Sequence, residues 1–159
     1  MVARGKAVRV YADTSVFGAI ADAEFFSTPS LRFFEFVIRG DFKLVIPPTL
    51  EFEIEAAPPP IKVHFSKFRE IADVISAPEA IVDLRDAYLK HGVLTPRWDA
   101  DALHVASATV AGCQIIVSWN FRHIVNYKKI RLFNAVNQLM GYDLIAIHTP
   151  QEVIQFEAD

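Results

Sequence analysis

Short apolar runs alternate with longer amphipathic runs along most of the chain, and this alternation limits the possible folds more than any other feature. The apolar runs predict strands at residues 7–12, 42–46, 115–117 and 144–147. The longer runs predict helices at 29–39, 49–57, 61–73, 78–91, about 99–111 and 127–140, with a short one from Thr149-Pro150 and a loop at 21–30. Such alternation is typical of a parallel sheet covered on both faces, so the predicted fold class is α/β.

Size and composition restrict the class of protein further. A chain of 159 residues predicts one domain, residues 1–159, and a hydrophobic content of 52% favours a folded globular protein. No apolar run approaches the length of a membrane span, and the N-terminus shows no signal-peptide pattern. The single cysteine excludes an internal disulfide framework, and we expect a cytoplasmic protein.

Acidic and amide side chains follow the predicted strands at the points where ligands bind in open α/β sheets. Asp13 follows the first strand, Glu53 comes after the second, and Asn120 follows the third apolar strand. Because the carboxyl ends of parallel strands share one edge, these side chains should converge, and the helix that opens near Asp101 should join them. Asp13 has a second interpretation, since aspartate is also a good helix N-cap.

At two of these positions a neighbouring acid is an alternative candidate for the site. Asp99 and Asp101 are two residues apart on a helix, so they face about 200° apart and only one can point into a site. Glu51, Glu53 and Glu55 alternate, so they cannot share one helical face.

Three carboxylates in one cleft repel one another unless a cation lies among them. Hard oxygen ligands favour Mg²⁺ or Mn²⁺. Such a centre suits phosphodiester hydrolysis, because the metal activates water and neutralises charge on the phosphate. Proteins that bind nucleic acid non-specifically are usually basic, whereas this chain has a net charge of -3. A bound cation would also explain how such a chain could bind an anionic nucleic acid.

Four short motifs give the chain a family resemblance. They are YADTSVF, IPPTLEFEIEAA, DALHVASA and IIVSWNFRHI, in this order from about residue 8 to 125, and the tail GYDLIAIHTPQEV extends the likeness over nearly the whole chain. The sequence resembles the PIN-domain family, and within it the VapC-like toxins of toxin–antitoxin pairs. The resemblance implies a single PIN-like domain with a central parallel sheet of about five strands sandwiched by helices.

The resemblance also implies an activity and its residues. The expected activity is Mg²⁺- or Mn²⁺-dependent cleavage of single-stranded RNA, with a cognate antitoxin protein as a partner and a homodimer as the assembly. The metal-binding acids of the family fall on Asp13, Glu53 and Asp101. Its hydroxyl after the first acid falls on Thr14 or Ser15, and the hydroxyl before its fourth acid falls on Ser118.

The chain departs from the family pattern where a fourth aspartate is common, because Asn120 stands there. Asparagine can ligate Mg²⁺ through its carbonyl oxygen, or hold a ligand water, but it adds no negative charge. We therefore expect Asn120 to be one of the catalytic and metal-binding residues. A second departure is Pro47, where a serine often precedes the second motif.

Further polar residues are candidates for supporting roles. His104 lies one helical turn beyond Asp101 and could orient a carboxylate or a water, or could be a packed histidine bonded to backbone. Trp119 could stack a base or belong to the core. The candidate phosphate-contacting patch consists of Arg122, His123, Lys128 and Lys129.

Two other functional classes remain open. A PIN-like module could bind RNA or a protein without cutting, and Asn120 favours that interpretation. A response-regulator-like domain also carries acids at strand ends, but it needs a lysine after a late strand, where this chain has Ser118-Trp119-Asn120. The expected homodimer is also suggested by the many aromatic residues in the predicted helices at 30–39 and 61–73.

Overall fold

The computed structural model describes residues 7–157, and it confirms the α/β fold class. Five parallel strands form one sheet in the order β3-β2-β1-β4-β5. The strands are β1 (Val8–Ala12), β2 (Phe42–Ile46), β3 (Asp73–Val74), β4 (Ile115–Val117) and β5 (Ala146–His148).

Eight α-helices lie within the described residues. They are α1 (Thr14–Gly18), α2 (Glu24–Arg39), α3 (Pro48–Ile54), α4 (Pro59–Ile71), α5 (Pro78–Lys90), α6 (Asp99–Val110), α7 (Tyr127–Leu139) and α8 (Pro150–Val153). Short 3-10 turns cover Ala19–Ala21, Pro96–Trp98 and Ile154–Glu157.

The sheet separates two hydrophobic cores because successive side chains of a strand point to opposite faces. In β1, Val10 and Ala12 belong to the core built with α1, α2, α3, α4 and α8. Tyr11 between them belongs to the other core, built with α5, α6 and α7. All three side chains are fully buried. Burial on both faces explains why the strands are near-continuous apolar runs rather than alternating ones.

The strand order creates a switch point between β1 and β4. From β1 the chain proceeds outward to β2 and β3, and it then returns to the other side of β1 as β4. Residue pairs such as Val10 with Ile115 and Ala12 with Val117 join the two strands. In open α/β sheets the crevice outside the carboxyl ends at such a point is the usual place for a ligand.

Helix α2 begins five residues before the predicted start at residue 29. Proline is expected in the first turn of a helix, but Pro29 lies inside α2. The extra turn carries Phe25 and Phe26, whose rings lie 6.0 and 5.1 Å from that of Trp119. This aromatic packing between distant parts of the chain explains a helix that local signals place later, and it replaces most of the predicted loop at 21–30.

Strand β3 (Asp73–Val74) was not predicted, and it begins at the last residue of the predicted helix at 61–73. Helix α4 ends at Ile71, and Asp73 then pairs with Val45 of β2. The Arg9 guanidinium lies 2.7 Å from the Asp73 carboxylate and holds the pKa of that carboxyl below its usual value. Two residues show no periodicity, so only these long-range contacts define the strand. The last strand is also displaced, since β5 covers Ala146–His148 rather than 144–147.

The aromatic residues behind the homodimer prediction lie in the interior. Phe33, Phe34, Phe36, Phe65 and Phe68 are at most 6% exposed. They pack together against one face of the sheet. Their number therefore reflects a core rich in phenylalanine, and it does not argue for a second copy of the chain.

Candidate functional site

The candidate site lies at the switch point, where β1 and β4 end side by side. The Asp13 backbone N–H donates to the Val117 carbonyl at 3.2 Å, which extends the pairing of the two strands by one residue. The Ser118 hydroxyl donates to Asp13 Oδ2 at 2.5 Å. A residue after β1 and a residue after β4 are thus joined directly.

Of the two roles that its position suggested, Asp13 has the capping role. It is the N-cap of α1, because Oδ1 accepts hydrogen bonds from the Ser15 backbone N–H at 3.1 Å and from the Ser15 hydroxyl. It is also only 3% exposed. Burial raises its pKa, against the lowering effect of the His104 charge and of the bonds from Ser118 and Ser15.

Among the three neighbouring glutamates Glu51, Glu53 and Glu55, Glu53 contacts the site. Its Oε2 accepts hydrogen bonds from the Thr14 hydroxyl and from His104 Nε2, the latter at 2.9 Å. Glu51 instead forms an ion pair with Arg69 at 2.7 Å. Partial burial alone would raise the Glu53 pKa, but the hydrogen bond and charge of His104, with the bond from Thr14, lower it below its usual value.

His104 is the buried centre of the acidic cluster. Its Nδ1 shares a hydrogen bond with the Tyr11 hydroxyl, and its Nε2 donates to Glu53. Burial alone would lower its pKa, but the bond to Glu53 and the charges of Asp13, Glu53 and Asp101 raise it. The hydrogen-bond partners of this histidine are therefore side chains rather than backbone.

Asp101 is held by the segment that follows β4. Its Oδ1 accepts from the Asn120 amide at 3.1 Å, and its Oδ2 accepts from His123 Nδ1 at 2.7 Å. The Asn120 carbonyl oxygen accepts from the His123 backbone N–H at 3.0 Å. Asn120 thus presents its amide nitrogen to Asp101 in this arrangement, while Asp99 is exposed at the start of the same helix.

The predicted phosphate-contacting patch is not assembled as one surface. His123 is buried and bonded to Asp101, with its ring 4.4 Å from that of Trp98. Lys129 donates through Nζ to the Val93 carbonyl at 2.7 Å. Arg122 remains exposed, with its guanidinium 4.7 Å from the Trp98 ring centre.

Sequence reasoning missed two aromatic residues of the site, Tyr11 and Trp98. Tyr11 carried a usable signal, because it precedes Asp13 by two residues in an extended run and so shares its face. Burial and the charges of Asp13 and Glu53 raise the pKa of Tyr11 well above its usual value, so its hydroxyl keeps the proton that it shares with His104. Trp98 carried no local signal, since its contacts with His123 and Arg122 come from a segment more than twenty residues later.

The donor chemistry suits a hard divalent cation, but the side chains are committed to one another. Among residues 7–157, no three or more His, Cys, Asp or Glu side chains form a group that could hold a metal ion. Glu53 and Asp101 each accept a hydrogen bond from a histidine, and Asp13 accepts from two serines. A cation would have to displace or share these contacts.

Comparisons with known proteins show the fold and nothing finer. No family model matches the chain, and no curated protein matches it. One solved structure that resembles it is the tyrosyl-tRNA synthetase of Archaeoglobus fulgidus complexed with L-tyrosine, with a TM-score of 0.51 and 9% sequence identity. The likeness covers 91% of this chain and 55% of the synthetase chain.

None of the helices within residues 7–157 combines the length and apolar character that a membrane crossing requires.

Proposed function

We propose that this chain is a PIN-like endoribonuclease that cleaves single-stranded RNA with Mg²⁺ or Mn²⁺, acting in the cytoplasm as the toxin of a toxin–antitoxin pair. One observation carries the proposal: hydrogen bonds through Ser118 and Asn120 connect Asp13 to Asp101, and His104, on the same helix as Asp101, bonds to Glu53. Three acids from three elements are thereby gathered at the switch point of a parallel sheet. The four motifs of the PIN resemblance supply the reaction class.

Asp13, Glu53 and Asp101 are the residues that would hold the cation, which would supply an activated water and offset charge on the phosphate. Neighbouring polar side chains hold two of these acids in position. Ser118 fixes Asp13 at 2.5 Å, and the Asn120 amide fixes Asp101 at 3.1 Å. Because Ser118 also accepts from the Asn120 backbone N–H at 2.9 Å, the two acids are oriented by one connected network.

A second candidate is a PIN-like module that binds RNA or a protein without cleaving. Two features favour it. Asn120 adds no charge where the family commonly has an acid, and both Glu53 and Asp101 are already paired with histidines. The cognate antitoxin and the homodimer belong to the first proposal through the family resemblance alone.

The deciding experiment incubates a pool of single-stranded RNA with the protein and Mg²⁺ or Mn²⁺, with and without a chelator. We expect metal-dependent cleavage by the wild type, and its loss in Asp13→Asn and in Asp101→Asn. Asp99→Asn is the matched control, since it removes an exposed carboxylate two residues away on the same helix.

Cleavage that survives both substitutions in the site, or that persists in the chelator, would contradict the proposal. A folded wild type that binds RNA but does not cleave it with either metal would establish the second candidate. Circular dichroism of each variant separates loss of chemistry from loss of fold.

A further inference from the structure

One short segment, Ser118–His123, contributes side chains both to the acid network and to its surroundings. Ser118, Asn120 and His123 hydrogen-bond to the carboxylates of Asp13 and Asp101. The other three side chains of the segment, Trp119, Phe121 and Arg122, make different contacts. We call these three side chains, together with the side chains that pack on them, the rim of the candidate site.

On one side of the segment the rim is cationic. The guanidinium of Arg122 lies 4.7 Å from the Trp98 ring centre, and that of Arg97 lies 4.9 Å from the same ring. Both arginines are exposed, and within residues 7–157 neither forms an ion pair with a carboxylate. Two guanidinium groups near one indole give this edge a local positive charge in a chain of net negative charge.

On the other side the rim is aromatic. The Trp119 indole is anchored, because its Nε1 donates to the Ser30 hydroxyl at 2.8 Å. The rings of Phe25 and Phe121 lie 6.0 and 6.2 Å from it. Phe25 is 70% exposed and Phe121 is 52% exposed, although both are large apolar side chains. A fixed indole between two exposed phenyl rings is suited to a flat ligand.

We propose that a single RNA strand crosses this segment, with a backbone phosphate on Arg97 and Arg122 and an unpaired base on Phe25 and Phe121. A single strand carries both the anion and the flat ring that the two sides require, whereas a duplex hides its bases and an acidic peptide lacks them. The choice of RNA rests on the proposed function, and the proposal adds the substrate contacts.

The test measures binding of a labelled single-stranded RNA by fluorescence anisotropy, in chelator, over a series of salt concentrations. The double variant Arg97→Ala/Arg122→Ala should bind more weakly, and the slope of log affinity against log salt should decrease by about 0.7 for one lost phosphate contact. The double variant Phe25→Ala/Phe121→Ala should lose about tenfold in affinity at every salt concentration, with the slope unchanged.

Matched controls are available elsewhere on the chain. Arg32 and Arg39 also flank one aromatic ring, at 5.4 and 4.9 Å from the Phe36 ring centre, so Arg32→Ala/Arg39→Ala controls for the loss of two stacked guanidinium groups. Phe156→Ala controls for an exposed phenylalanine, since this residue is 49% exposed. Both controls should leave affinity and slope at the wild-type values.

An oligonucleotide with an abasic site in the bound stretch gives a second readout. It should bind the wild type about as weakly as intact RNA binds Phe25→Ala/Phe121→Ala, and it should lose nothing further in that variant. Wild-type affinity in both double variants would overturn the proposal. It would also be overturned if the phenylalanine variant changed only the oligomeric state in sedimentation, because the aromatic face would then be a contact between copies.

The failures of the two proposals are distinguishable. If RNA binds as described but is not cleaved when Mg²⁺ is added, the nuclease proposal fails and the strand contacts stand. If RNA is cleaved but all four side chains are dispensable for binding, the nuclease proposal stands and this inference fails.

Discussion

Replacing His64 with phenylalanine is expected to stabilise the fold in mild acid. His64 lies half-buried on α4, with its ring 6.2, 4.6 and 4.7 Å from those of Phe17, Phe34 and Phe68. Its Nε2 is buried and finds no hydrogen-bond partner within residues 7–157. Burial, with a smaller effect of the Lys67 charge, lowers the pKa of His64 to about 4.

The sign follows from which state binds the proton more readily. The unfolded chain takes up a proton near the ordinary pKa of 6.5, whereas the folded chain resists it until about pH 4. The stabilising effect of a neutral His64 is therefore complete above pH 6.5 and is lost as the pH falls towards 4. A shift of this size corresponds to about 2 kcal/mol at about pH 5, which solvent screening of a half-buried ring reduces to about 1 kcal/mol.

Urea unfolding at about pH 8 and about pH 5 measures this difference directly. The free energy of unfolding of the wild type should fall between the two values by about 1 kcal/mol more than that of His64→Phe. His64→Leu controls for overpacking by the phenyl ring of His64→Phe, which is larger than imidazole. His91→Gln controls for the removal of an exposed histidine. Parallel losses in the wild type and both His64 variants would refute the reasoning.

Three further substitutions test local features. Tyr11→Phe removes the hydroxyl that bonds to His104, and it should lower the free energy of unfolding by about 1–3 kcal/mol in a urea titration; an unchanged value would mean that the buried imidazole finds another partner. Asn120→Asp places a carboxylate beside Asp101, so calorimetry should show tighter Mg²⁺ binding, and weaker binding would exclude this position from the metal site. Gly40→Ala should cost about 1–2 kcal/mol in thermal or urea unfolding, since φ is +86° there with no atom near the added methyl group; full stability would show that the turn tolerates a different backbone.

Much of the fold was predictable because its elements carry their own periodicity. The predicted strands at 42–46 and 115–117 match β2 and β4, and the predicted helix at 78–91 differs from α5 by one residue. Strands buried on both faces are short apolar runs, and surface helices show an apolar stripe. The position of Asp13 could also be anticipated, since the end of a buried first strand is defined locally.

The features that escaped prediction depend on contacts between distant residues. The first turn of α2 packs on Trp119, and β3 depends on pairing with Val45 and on the ion pair of Arg9 with Asp73. The pairing of acids with histidines also depends on contacts between residues that are far apart in the sequence. The sequence shows His104 one turn from Asp101, but the structure bonds it to Glu53, which comes fifty-one residues earlier.

The placement of the two histidines changes what the acidic cluster requires. Three acids in a cleft suggested an obligatory cation, because unpaired carboxylates repel one another. The structure provides hydrogen-bond donors to two of these carboxylates within the chain, since His104 donates to Glu53 and His123 donates to Asp101. The cluster can therefore remain folded without a metal, and metal binding becomes a competition with two hydrogen bonds. For this reason cleavage and RNA binding have to be measured separately. Binding on the exposed rim requires no change in the cluster, whereas the proposed chemistry requires the carboxylates to bind a metal in place of, or together with, the histidines.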